Sequence, residues 1–196
     1  MGRRLGRSFF CRDPVVVAKE LLGKLLVREL EDRRLAGIVV ETEAYLGVND
    51  RASHGYGGRR TLRMWPLYSD CGLLYIYPVH GYSMLNITVA PPKEPTAVLV
   101  RALEPVEGVE IMMEFRNTRD VRKLCSGPGR LTKALKITQE MNGLSVADGP
   151  VYFEEYMEVT DEEVVATKRV GVDYAGRHAD LPLRFYVRDS KFVSKP

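Results

Sequence analysis

The chain has 196 residues, a formal net charge of +3 and an ordinary 45% of hydrophobic residues, which points to one globular domain over residues 1–196 with a full-sized core. No apolar run approaches the roughly 20 residues of a membrane span, and the basic start MGRRLGRSFF lacks the apolar stretch and cleavage site of a signal peptide, so an intracellular location (cytoplasm and nucleoid, or nucleus) is expected. The mild positive charge permits an anionic partner without requiring one.

Asp13-Pro14 reads as an N-cap followed by proline at the first helical position. Val17, Ala18, Leu21 and Leu22 then form a helical stripe, and Gly23 ends it. Residues 25–30 read as a strand, Glu31-Asp32-Arg33-Arg34 as a turn, and residues 35–45 as a second strand. A polar, glycine-rich loop runs from 47 to 63. Residues 73–77 and 82–89 are aromatic-rich runs around Pro78-Val79-His80-Gly81, a hairpin signal. A strand at 97–103 precedes a helix at 106–116 opened by Pro105. Cys125-Ser126-Gly127-Pro128-Gly129 is a tight loop before a short helix at 130–136, and strands follow at 151–155, 164–169 and 183–188. Hairpins without regular βαβ alternation predict an α+β fold, a mixed and largely antiparallel sheet with packed helices.

Within the second strand, alternation puts Glu41, Glu43 and Tyr45 on one face and Val40, Thr42 and Ala44 on the other. A carboxylate beside an aromatic at a strand end suits a general base on a stacking platform; a solvated strand edge has the same pattern. Ser53-His54 and the glycines and arginines after it, Arg59 among them, suit close approach to a ligand and its phosphates, or a flexible basic surface. In the hairpin, Tyr75 and Tyr77 share one face, as do Tyr82, Met84 and Asn86. A protruding tip could wedge between base steps, or the aromatics could pack a core. Asn86 lies between Leu85 and Ile87, so if buried its amide needs partners, and an amide can read a purine edge. Arg101 interrupts the apolar run 98–103, which means solvent or a carboxylate. Cys11, Cys71 and Cys125 are odd in number and far apart, so they read as buried or semi-buried thiols and not as a zinc or disulfide framework. His54, His80 and His178 show no metal-ligand spacing, and no metal is expected.

Taken in order, ETEAYLG (41–47), SHGYGGR (53–59), LYIYPVHGY (74–82), LNIT (85–88), VRALEP (100–105), LCSGPGRLTKAL (124–135), RVGVDYAG (169–176) and PLRFYVR (182–188) give the chain a resemblance to the alkyladenine DNA glycosylases over essentially its whole length. The resemblance implies a curved antiparallel sheet with a projecting hairpin. It implies a monofunctional, monomeric hydrolase that flips damaged purines from double-stranded DNA and starts base-excision repair without metal or organic cofactor. Glu43 falls at the water-activating carboxylate, and Arg101 with the carbonyl of Val170 where that water is held. Tyr45, His54 and Tyr77 fall around the extruded base, and Asn86 where guanine's amino group is crowded out. His80 falls at the hairpin tip, where the family fills the gap left by the flipped nucleotide, and His80, Tyr82 and Arg59 are the expected DNA contacts.

The chain departs from the family at three places. His80 stands where a tyrosine is usual, the stretch from Gly81 to Asn86 is one residue shorter, and Met64-Trp65-Pro66 follows Arg63 where asparagine is common. Two other readings have their own expectations. A non-catalytic module for damaged or distorted DNA would use the same loops. A carbohydrate hydrolase would use Glu41 and Glu43 as a pair.

Overall fold

The computed structural model describes residues 2–90 and 94–195. Two helices open the chain, α1 (Arg7–Phe10) and α2 (Pro14–Glu20). The Asp13 carboxylate accepts from the Val15 and Val16 amides at 2.8 and 3.2 Å, capping α2 as its sequence predicts. Val17, Ala18, Leu21 and Leu22 are at most 2% exposed.

Among the described residues eight strands form one sheet: β1 (Leu25–Leu30), β2 (Arg33–Tyr45), β3 (Leu74–Val79), β4 (Tyr82–Val89), β5 (Thr96–Glu107), β6 (Val151–Glu154), β7 (Val164–Thr167) and β8 (Arg184–Val187). Their order is β3-β4-β5-β2-β1-β6, with β8 pairing both β2 and β7. Every named pairing is antiparallel, so the architecture is α+β, as expected.

The β2–β5 ladder is irregular, and the irregularity decides where the carboxylates point. Val39 pairs with Leu103, Glu41 with Ala102 and Thr42 with Val100, which leaves Val40 and Arg101 as extra residues, one in each strand. Leu35 and Val39 belong to the main core, with the residues of α2. Unbroken alternation would therefore send Glu41 and Glu43 into that core. The bulge reverses the parity. Val40 joins Ala36 and Ile38 in a second cluster, whereas Ala44 returns to the main core and the Thr42 hydroxyl donates to the Ala18 carbonyl of α2 at 2.7 Å. Val40 is thus not on the face of Thr42 and Ala44, a correction to simple strand periodicity.

Three further corrections concern element ends and cysteines. β5 runs through Pro105 to Glu107, and α3 (Val109–Arg116) starts only after Gly108 at φ 69°. Pro105 opposes Gly37 beside a register shift, where a missing N–H is tolerated. α4 spans Pro128–Ala134, with proline at its first turn. Cys11 and Cys71 form a disulfide with Cα atoms 5.2 Å apart, tying the end of α1 to the approach of β3; they are not free thiols. Cys125 is free and buried.

The β3–β4 hairpin turns on two residues, His80 at φ 47° and Gly81 at φ 81°, between the paired Val79 and Tyr82. Two positive φ values are the signature of a type I′ turn, and glycine fits the second of them without strain. Among the described residues no helix is long and apolar enough to cross a membrane.

Candidate active site

Glu43 lies on β2, is 0% exposed, and is held by two hydrogen bonds and an ion pair. The Tyr45 hydroxyl donates to Oε2 at 2.8 Å, and the Val170 amide donates to Oε1 at 2.7 Å. The Arg101 guanidinium stands 3.2 Å from the same Oε1. Two hydrogen bonds and the Arg101 ion pair thus converge on this carboxylate. A carboxylate offers about four lone-pair sites, so two hydrogen bonds leave it acceptor capacity.

The surrounding charges follow from burial. Burial raises the Tyr45 phenol well above its ordinary 10.0, and the adjacent Glu43 adds to this, so Tyr45 stays protonated and a donor. Burial by itself would lower Arg101, but Glu43 and Glu41 outweigh it and raise its pKa. Arg169 is treated alike by Asp50. It contacts Asp50 at 2.8 Å, donates to the Ala44 carbonyl at 3.0 Å and lies 4.8 Å from the Tyr45 ring centre. That fixes the segment delivering the Val170 amide.

Above this floor opens a cavity of about 480 Å³, within the usual range for small-ligand sites. Tyr45, His54, Tyr75, Tyr77, Asn86 and Arg101 are among its lining residues. His54 and Tyr77 meet edge-on with ring centres 4.3 Å apart, and Tyr75 and Tyr77 are 5.4 Å apart. Burial, then the charges of Arg63 and Arg59, lower the His54 pKa from 6.5, favouring a neutral ring 2.7 Å from the Tyr75 hydroxyl. Burial pushes Tyr75 up to about 12. The Asn86 amide nitrogen donates to the carbonyls of Tyr75 and Met84 at 3.2 and 3.3 Å, so the side chain cannot swing aside.

The structure brings Glu43, Arg101, Val170, Tyr45, His54, Tyr77 and Asn86 together, and it is the amide of Val170, not its carbonyl, that touches Glu43. His80 reaches the cavity mouth. Tyr82 does not; its ring lies over Gly129, where an added Cβ would come 2.7 Å from the ring's Cγ. Arg59 is exposed and lies outside the lining. Glu41 cannot serve as a partner carboxylate for glycoside cleavage. It is 0% exposed and sealed by Arg101, Arg184 and Ser194, at 2.8, 3.0 and 2.9 Å from its Oε1.

Comparison with known proteins decides the family. The sequence profile of the methylpurine-DNA glycosylases matches residues 8–191. The chain belongs to the methylpurine-DNA glycosylase family. It is thus a DNA glycosylase, a hydrolase with DNA as substrate. Proteins provisionally named 3-methyladenine DNA glycosylase are close to it in sequence. That of Desulfitobacterium hafniense is 41% identical, with 98% of each chain covered. That of Clostridium perfringens strain 13 is 43% identical over 98% of this chain and 99% of its own. That of Clostridium acetobutylicum is 42% identical over 97% of both.

Sequence reasoning missed several parts of this candidate site. Arg184 sits between Leu183 and Phe185 in an apolar strand, the signal that singled out Arg101, and it too is buried against a carboxylate. Tyr75, placed by the hairpin pattern on the face of Tyr77, is the hydrogen-bond partner of His54. Asp50 and Ser194 gave no signal, since polar residues in loops are ordinary.

Proposed function

We propose that the chain extrudes a damaged purine from duplex DNA into the aromatic cavity and hydrolyses its N-glycosidic bond with a water activated by Glu43. The observation that carries this is a wholly buried carboxylate held by Tyr45, Val170 and Arg101, all three of which line the aromatic cavity. As the bond between base and C1′ lengthens, the base takes the electron pair and the sugar gains positive charge. Glu43 stabilises that charge and accepts the water's proton as its oxygen bonds to C1′. An alkylated or protonated purine leaves readily, so one carboxylate suffices, with neither metal nor organic cofactor.

His54, Tyr77 and Tyr45 grip electron-poor rings such as alkylated purines, hypoxanthine or ethenoadenine, and the pinned Asn86 crowds guanine's amino group. His80, exposed at the hairpin turn, enters the gap left by the extruded nucleotide. Tyr82 braces the hairpin against α4. Extrusion costs a few kcal/mol, least at damaged pairs, which helps select them.

An abasic-site assay on duplexes carrying single hypoxanthine, ethenoadenine or alkylated purines tests the proposal. Base release from at least one is expected. Release from none by folded protein would instead favour a module that binds distorted DNA.

A further inference from the structure

We propose that Glu41 and Ser194 are positioning residues for the reaction, locking Arg101 in the orientation that places it on Glu43. The proposal rests on the reading of Glu43 as the water-activating group and adds residues that act only through Arg101.

Each outer nitrogen of the Arg101 guanidinium meets a different residue. Nε donates to Glu41 Oε1 at 2.8 Å, Nη1 stands 3.2 Å from Glu43 Oε1, and Nη2 donates to Ser194 Oγ at 3.2 Å. A planar fork anchored at three points cannot rotate about its own axis. Glu41 lies opposite as an acceptor with every contact occupied. Its Oε1 also takes Arg184 Nη1 at 3.0 Å and the Ser194 hydroxyl at 2.9 Å, and its Oε2 takes the Ser194 amide at 2.6 Å.

Two arginines and two glutamates thus form a buried set of balanced charge. Its fourth wall comes from near residue 194, far along the chain from β2. The set also reaches the other group on Glu43: Arg184 donates to the Lys168 carbonyl at 3.1 Å, two residues before Val170, and to the Lys195 carbonyl at 2.6 Å. Without Ser194, Arg101 Nη2 and both Glu41 oxygens lose a partner. The guanidinium is then free to tip towards Glu41 and away from Glu43.

A merely structural seal would alter stability alone, whereas a positioning role alters the chemical step at constant lesion affinity. Single-turnover excision from a hypoxanthine duplex, measured across protein concentration, separates the two. Ser194→Ala is expected to lower the saturating rate about tenfold, and Ser194→Pro, which also removes the amide, about a hundredfold, since small misplacements cost that much. The half-saturating concentration should stay constant, and Ser194→Thr should restore the rate. An unchanged saturating rate in folded Ser194→Pro would overturn the proposal, as would a loss wholly in half-saturation.

Nitrogen-15 NMR of the arginine Nη–H groups, Nη2 of Arg101 being the one that donates to Ser194, gives a readout independent of turnover. The Arg101 signal is expected to be protected from exchange in the unmodified chain and to become exchangeable in Ser194→Pro; equal protection in both would also refute the lock. If the unmodified chain excises no purine lesion, the glycosylase reading of Glu43 fails, and the NMR result alone then decides whether Ser194 holds Arg101.

Discussion

The floor of the site and its rim are built on opposite terms. On the floor, Glu41, Glu43 and Arg101 come from long strands and are at most 5% exposed, each held by buried partners. On the rim, His80 occupies a two-residue turn and Arg59 an exposed loop. Under the proposed function, the difference teaches that a bond-breaking group needs a fixed position in a dry setting, where electrostatics act strongly. Groups proposed to meet DNA need reach, and a turn supplies it with fewer constraints.

The comparison can be broken most severely at Glu43. Glu43→Gln should lower excision between about 10² and 10⁴-fold, the usual contribution of a general base, while binding to a lesion duplex stays within about twofold. Equal loss of binding would mean that the floor also grips DNA.

Next comes Arg101→Leu, which leaves two buried carboxylates without their shared cation. A loss of about 3–5 kcal/mol in denaturant unfolding is expected. The matching rim change, His80→Ala, should stay within about 0.5 kcal/mol, as surface substitutions do. Similar values for the two would erase the distinction between floor and rim.

Asn86 stands between the two regions. Asn86→Ala removes a pinned amide from the wall and should raise activity on guanine lesions relative to hypoxanthine by about 1–3 kcal/mol of discrimination, the worth of a small group in a pocket. Competition between the two duplexes in one reaction measures it.

The smallest effect is on pH. His54 has a lowered pKa when folded, so the unfolded chain binds its proton more readily. Its contribution to stability is therefore constant above 6.5 and declines as pH falls from 6.5 towards the folded value. The acid-side decline in Tm should be shallower in His54→Asn, and identical slopes would show that other groups govern that limb.

Most of the floor was legible because its residues violate a local pattern: a glutamate or arginine inside an apolar strand has to be explained by a partner. The hairpin was legible from its period and its glycine. The parity reversal at Val40 was not, because a bulge is set by the register of two strands far apart in sequence. The disulfide was equally hidden, since an odd cysteine count says nothing about which two thiols the fold brings together. The extension of β5 past Pro105 was missed because proline reads locally as a helix start, while the sheet offered it a place beside a bulge.

The bond between Cys11 and Cys71 makes a covalent ring of everything from α2 to the approach of β3. Arg59, Arg60 and Arg63 lie within that ring on exposed backbone, open to a trypsin-like protease. A single cut there would leave both halves joined, so the nicked protein would migrate as one species without reductant and as two fragments with it.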